Sequence, residues 1–410
     1  MATAFIDMVG ALIIIPLLPF YAERFGANDF LVMVLVSSFS AMQLLSAPLW
    51  GRVSDRYGRK PALLIGLGGS MVAYVVFAFA DSYALLLLSR IVQGAGGGTT
   101  GVIQAYVADS VEPRNRAKGL GWLSAATNAG VVLGPLLGSA TTSFGAHTPG
   151  LLAAALCFLN ILFAWRFLGE SHHMSDEARA KKARRPIQAV AQVARHPGEA
   201  PSRIIWMYAV GIGAFYGVNA LLILFMARHF GVTAERIGPF YAYMGGLSIF
   251  FRLVVLGRAV DKLGEARTTR LGAGSLALGL ALVPLMRPFP VSSLVYLPLA
   301  VVLALIPLGT ALLFPCVTAL LSRVVSEQER GMYMGVQQTY GGLARVSYPL
   351  VAGLLSDQFG EGAPFWLSAV MVASTIWMGL GLGGYSRSDG EEEARIAAEG
   401  VKKKETAVVE

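Results

Sequence analysis

Four ionisable side chains stand where charge is expensive. Asp7, Arg90, Arg252 and Arg345 each lie inside a long apolar run of this 410-residue chain. A charge near the middle of a lipid-crossing helix costs at least about 2.5–3.5 kcal/mol on insertion scales, so such residues are paired or line a cavity. Asp7 sits about 7 Å along its run at 1.5 Å per residue. A carboxyl held among apolar groups is a candidate proton carrier; the competing reading is a helix-start acid stabilised by the dipole. Arg90 needs a partner, which backbone carbonyls could supply. Arg252 and Arg345 have small or aromatic neighbours, among them Tyr241, Tyr243, Tyr340 and Tyr348. They suit an anionic or zwitterionic group on a bound small molecule, unless each pairs internally, Arg252 with Asp261. Phe215, Tyr216 and Asn219 share one helix face, which either lines a cavity or packs in the core.

The elements that must hold these residues are helices in lipid. The chain is 55% hydrophobic and 14% charged, against roughly 25% charged in soluble domains. Runs of about 20 apolar residues, enough to cross a bilayer, recur along its length. Twelve spans are expected, near 3–22, 30–50, 62–80, 84–109, 118–142, 150–169, 204–227, 237–257, 268–286, 292–322, 331–356 and 363–385. They group as a six-helix bundle over 1–170, a basic linker over 171–203, a second bundle over 204–386 and a disordered tail over 387–410. With twelve spans, 26 of the 33 Lys and Arg fall on one side and four on the other. By the positive-inside rule both termini are then cytoplasmic. The basic residues are spread over membrane-edge loops without interleaved aromatics, so nucleic-acid binding is not expected. Cys157 and Cys316 lie in apolar runs and read as buried hydrophobes. No HExxH, GxSxG, ATP-binding or metal-ligating pattern is present, so neither an enzyme nor a cofactor is expected.

The two halves repeat each other. Gly51, Asp55 and Gly58 of "GRVSDRYGRK" map onto Gly257, Asp261 and Gly264 at a constant offset of 206. Arg116, Gly121 and Pro135 map onto Arg330, Gly335 and Pro349 at 214. Arg252 and Arg345 have no charged counterpart: Ser46 and Val131 stand there. Paired six-helix halves are the sequence mark of transporters that rock about a midplane site. The stretch 51–61 is expected to be the loop between spans two and three. Asp55 would face the first turn of span eleven near Gly331, and Asp261 that of span five, when the cytoplasmic ends are closed. The alternative is a loop whose charges only fix orientation. The "GAGGG" run at 94–98 reads as close helix packing. Gly134-Pro135 reads as a fixed bend that could seal the opposite side, or as an ordinary kink.

The motifs resemble the major facilitator superfamily, its twelve-helix drug/proton antiporters, and among them the tetracycline-antiporter-like branch. The likeness rests on Asp7, Gly10, Pro16 and Pro19 in span one. In span two and its loop it rests on Gln43, Pro48, Gly51, Asp55, Arg56, Gly58, Arg59 and Lys60. Arg90, Gln93 and Gly94 carry it in span four, and Gly130, Gly134, Pro135 and Gly138 in span five. It implies an all-α membrane protein of two pseudo-symmetric bundles. It also implies export of a small amphiphilic molecule or drug in exchange for protons, with Arg90 tuning a nearby carboxylate, in a bacterial inner membrane. An organic-anion or metabolite carrier, or a non-transporting receptor, are the alternatives. Partners are a small-molecule substrate, protons and lipid, with the chain a monomer. Tetracycline exporters carry an acid before the span-three tyrosine, where this chain has Ala73 before Tyr74. They carry a span-eight histidine and glutamine where it has Ser248 and Arg252. A metal–tetracycline complex is therefore not the expected substrate.

Overall fold

The structure, a computed structural model, describes residues 1–112, 115–171, 186–288 and 296–385. In hydrocarbon no water can satisfy backbone N–H and C=O groups, so apolar runs close their hydrogen bonds internally as helices. The first half holds α1 (Ala2–Ile14), α2 (Leu18–Arg24), α3 (Asp29–Tyr57), α4 (Arg59–Ala78), α5 (Tyr83–Gly97), α6 (Thr100–Asp109), α7 (Arg116–Thr142) and α8 (Thr148–Phe167). Then come α9 (Pro186–Arg195), α10 (Ala200–Phe230), α11 (Ile237–Phe250), α12 (Gly257–Leu282), α13 (Leu297–Val324), α14 (Glu327–Phe359) and α15 (Ala363–Met378). A π-helical stretch, Phe251–Leu256, joins α11 to α12.

Among the described residues these helices make twelve crossings. α1 and α2 share the first, interrupted near Pro16, and α5 and α6 share the fourth, interrupted at Gly98 and Thr99. α11, the π stretch and the start of α12 form the eighth; the chain reverses at Gly264 (φ 72°), and the rest of α12 is the ninth. Gly58 makes the matching reversal in the first half at φ 101°. Both glycines take a backbone conformation that side chains disfavour, so the sequence repeat is also a geometric one. The stretch 51–61 corrects its expectation. It is not a loop: α3 runs on to Tyr57 and α4 starts at Arg59, leaving Gly58 alone between them. The charged residues ride on helix ends that pass beyond the apolar region.

Part of the linker is also ordered. α9 buries Ala189 and Val193, and its Val190 carbonyl accepts a bond from the Tyr340 hydroxyl of α14 at 3.0 Å. Residues 172–185 of the linker lie outside the described residues, as does the tail 387–410, which was expected to be disordered.

The halves meet at one face and part at the other. At the face away from 51–61, Arg228 of α10 bonds Glu23 and Asp29 of the first half at 2.8 Å each, and Glu361 of its own half at 2.8 Å. Asp29 also accepts from Ser356. The Phe30 N–H donates to Asp357 at 3.3 Å. Further in, Ser37 Oγ donates to the Val346 carbonyl at 2.9 Å, and the Gly238 N–H to Ser139 Oγ at 2.7 Å. At the basic face, the Asp55 side chain is 66% exposed and bonds Arg59 of its own half at 2.7 Å. A Cβ on Gly331 or Gly335 of α14 would meet nothing within 4 Å. Asp55, Gly331 and Gly335 are thus uncovered by the other half at this face.

Candidate functional site

In the first half a polar cluster is buried between α1, α4, α5 and α8. Arg90 and Gln93 of α5 are each 2% exposed. They lie three residues apart, on one helix face. Gln93 Nε2 donates to the Tyr74 hydroxyl of α4 at 3.2 Å. That hydroxyl also lies near Gly10 of α1. Gly10, one turn after Asp7, clears room for Tyr74: a Cβ there would stand 3.3 Å from the ring. Arg90 forms no ion pair among the described residues, and its Nε and Nη2 are buried without hydrogen-bond partners. Arg90 and Asp7 make no direct bond among the described residues.

Asp7 is half-buried and lines a cavity of about 630 Å³, with Met8, Gln104, Ser124 and Thr127 among its walls. Gly10, one turn on, packs against Tyr74, while Asp7 borders the cavity. Such a group can exchange protons with solvent and report its charge to the packed cluster behind it.

The second half presents a different face. Tyr216 and Asn219 stand on the partly exposed side of α10, with Phe215 beside them. Arg345 of α14 stacks over the Tyr216 ring, 5.6 Å to its centroid. Tyr241 of α11 donates to Asn219 Oδ1 at 2.8 Å. Arg252 occupies the second position of the π stretch. No bond links it to Asp261, its suggested partner, among the described residues.

Other expected cavity residues are placed differently. Tyr340 is 7% exposed; it is covered by α9 and packs edge-on against Trp206, centroids 5.1 Å apart. An aromatic at helical spacing does not reveal which neighbour will cover it, and here the linker helix does. Gln43 donates to the Gly97 carbonyl at 3.2 Å, tying α3 to α5.

The gating residues divide between the two faces. Arg59 is a hub, bonded to Asp55, Ser54 and, at 3.1 Å, Asp109 of α6. The carboxylate of Glu170 accepts from the N–H groups of Arg59 and Lys60 at 2.8 and 3.1 Å. It caps α4, satisfying donors that every helix start leaves open. Arg56 lies over Tyr57, Gly51 has open space around it, and Asp261 is exposed. A Cβ on Gly134 would stand 2.6 Å from Leu12 Cβ and 2.8 Å from the Val9 carbonyl. The Pro135 carbonyl faces Gly238 of α11 across the boundary between halves. α7 is therefore wedged between α1 and the second half at the closed face. Sequence reasoning missed Arg228, Asp29 and Glu361. Their only signal was that four Lys and Arg fall on that side at all.

Two repeated six-helix halves of apolar helices, joined at one face, are the architecture of a membrane transporter. The sequence matches the Major Facilitator Superfamily over residues 1–347 and again over 291–407, and the chain belongs to it. It is 29% identical over 354 residues to the class C tetracycline resistance protein of Escherichia coli, covering 86% of this chain and 87% of that protein. It is 26% identical over 371 residues to Multidrug resistance protein 2 of Bacillus subtilis (strain 168), covering 87% and 88%. These are the relatives that the span-one, span-two, span-four and span-five motifs implied. The crystal structure of the human organic anion transporter MFSD10 superposes with a TM-score of 0.65 at 22% identity, covering 92% of this chain and 97% of that one; that likeness is one of fold.

Proposed function

We propose that the chain is a secondary active exporter, moving a small amphiphilic molecule out of the cell in exchange for protons by alternating access. The basic face is the cytoplasmic one, with both termini on it, and the conformation described here is open to the cytoplasm. The membrane is a bacterial inner membrane. The observation that carries the reading is Asp7: a carboxyl lining the cavity on one side and backed by the buried Tyr74–Gln93–Arg90 cluster on the other. Protonation of such a group changes the charge of a packed, weakly solvated region, and that biases a two-state equilibrium. The printed names of the relatives, tetracycline resistance and multidrug resistance, support export. Ala73 and Arg252, at positions where tetracycline exporters differ, argue against a metal–tetracycline cargo.

The test is flux in proteoliposomes. Asp7→Asn should abolish transport driven by a pH gradient and leave counterflow exchange of substrate intact. Proton-driven transport at the wild-type rate in that variant would remove Asp7 from the mechanism.

A further inference from the structure

Among the described residues, Arg252 and Arg345 of the second half have no acid beside them on α10, α11, α13 or the middle of α14, the buried Glu265 of α12 being paired with Arg323. α10, α11 and α13 contain no Asp or Glu, and the acids of α14 lie in its first and last turns. Yet Arg252 and Arg345 sit well inside. Each is half-buried, and each buries its Nε with no hydrogen-bond partner. Neither forms an ion pair among the described residues. Their terminal nitrogens are not among the buried unpartnered atoms and make no bonds, so they look onto open space.

That space lies on the sides of α11 and α14 turned away from lipid. On α14, Leu343, Ser347, Val351 and Leu354 form an exposed, largely apolar stripe, the lipid side. Arg345 comes two positions after Leu343, about 200° round the helix. On α11, Phe250 and Leu253 are exposed, and Arg252 again comes two positions after the first. It also lies eleven residues after Tyr241, three turns on along the same side. Both walls converge on one face of α10, where Arg345 covers Tyr216 and Tyr241 binds Asn219. The two arginines are level. Arg252 is about 22 Å from the start of α11 at the closed face, and Arg345 about 21 Å from the end of α14 at that face, at 1.5 Å per residue.

We infer that this face binds an acidic group of the transported molecule, a carboxylate, sulfonate or phosphonate, with Arg252 and Arg345 as its ligands and the Tyr216 ring beside it for an apolar or aromatic portion. Two half-buried cations without an ion-pair partner among the described residues are costly to hold inside a membrane bundle. An anionic ligand supplies the missing charge, and a guanidinium fork meets two oxygens at once. The Tyr241–Asn219 pair fixes the neighbouring wall. The inference names the substrate class for the proposed transport cavity and so rests on that reading of it.

Purified protein is titrated at equilibrium, without a gradient, with matched acid and neutral probes: 4-phenylbutyrate against 4-phenylbutyramide, naphthalene-2-sulfonate against its sulfonamide, and benzylphosphonate against its diethyl ester. At least one acid should bind tenfold or more tightly than its neutral partner. Arg252→Gln and Arg345→Gln should each weaken it roughly tenfold to a hundredfold, the range for hydrogen bonds to charged groups. Arg→Lys, which keeps charge and loses the fork, should fall between, and it carries the comparison if a Gln variant fails to fold. Arg236→Gln, exposed at the opposite end of α11, should bind as wild type. Acids binding no tighter than their neutral partners, or a preference surviving in both Gln variants, would overturn the site. Acid binding without proton-driven flux would instead overturn the exporter reading and leave the site standing.

Discussion

Arg228 and Asp29 bind each other across the boundary between the halves, Nη2 to Oδ1 at 2.8 Å. Asp29 is the buried partner, its side chain 7% exposed, and it also accepts from Ser356. Arg228 is about one-third exposed and adds Glu23 and Glu361. One guanidinium thus fastens α2, α3 and α10 to the segment after α14.

Arg228 should therefore hold the closed face shut. Exposed pairs are worth up to about 1 kcal/mol, and breaking a buried one costs about 3–5 kcal/mol. A half-buried lock falls between, and each ~1.4 kcal/mol shifts a conformer ratio tenfold. Arg228→Gln should raise the population open at this face. Spin labels at Asp81 and Phe359, both exposed there, would report it as a new long-distance component. A distribution identical to wild type would show that backbone packing alone closes the face.

That packing makes the second prediction. Gly134→Ala puts a Cβ against the α1 backbone, which cannot step aside as a side-chain tip can. Overpacking of this kind costs about 1–3 kcal/mol. Gly121→Ala, on the same helix with nothing within 4 Å, removes a helix glycine at no steric cost. The first should lower the melting temperature by several degrees; the second should leave it unchanged or raise it slightly. Equal melting temperatures would contradict the tight α1–α7 contact.

Tyr74→Phe keeps the ring and deletes the hydroxyl that accepts from Gln93. Losing that bond should cost about 1 kcal/mol in stability. If Arg90 senses Asp7 through this hydroxyl, proton-driven flux should fall several-fold while equilibrium substrate affinity stays within about twofold. A parallel loss of both would make Tyr74 a packing residue only.

Much of this was legible beforehand, for identifiable reasons. Gly58 and Gly264 stood out because a backbone reversal between two apolar runs needs a residue without Cβ, and the need arises twice. Asp7, Arg90, Arg252 and Arg345 stood out because charge inside an apolar run is costly wherever it points. Direction was harder. Periodicity shows that Tyr340 and Tyr216 lie on helix faces, but α9 covers one while the other stays 37% exposed, and α9 was read only as polar linker. The dense charge of 51–57 suggested a loop, yet a helix end beyond the apolar layer carries arginine and aspartate without penalty. The Arg228 cluster was invisible, since its acids come from three segments that only the closed arrangement brings together.

Asp55 supplies the last prediction. Its side chain is mostly exposed and, among the described residues, held only by Arg59, while the start of α14 has open space at Gly331. Rocking the halves to close this face would bring α3 and α14 together along the contact they already make at Ser37–Val346. Asp55 would then approach unpaired N–H groups at the α14 start. A carboxylate there contributes about 0.3–1 kcal/mol when exposed and up to about 2 when partly buried. Glu327 and Glu329 already occupy that first turn, so Arg330, bonded now to the Ser322 carbonyl at 3.0 Å, must provide part of the attraction. Asp55→Asn should accordingly enrich the conformation seen here and slow transport without weakening substrate binding. Spin labels on the basic-face ends of α3 and α14 measure this directly. A mutant distance distribution matching the wild type would reduce the charged stretch to an orientation signal.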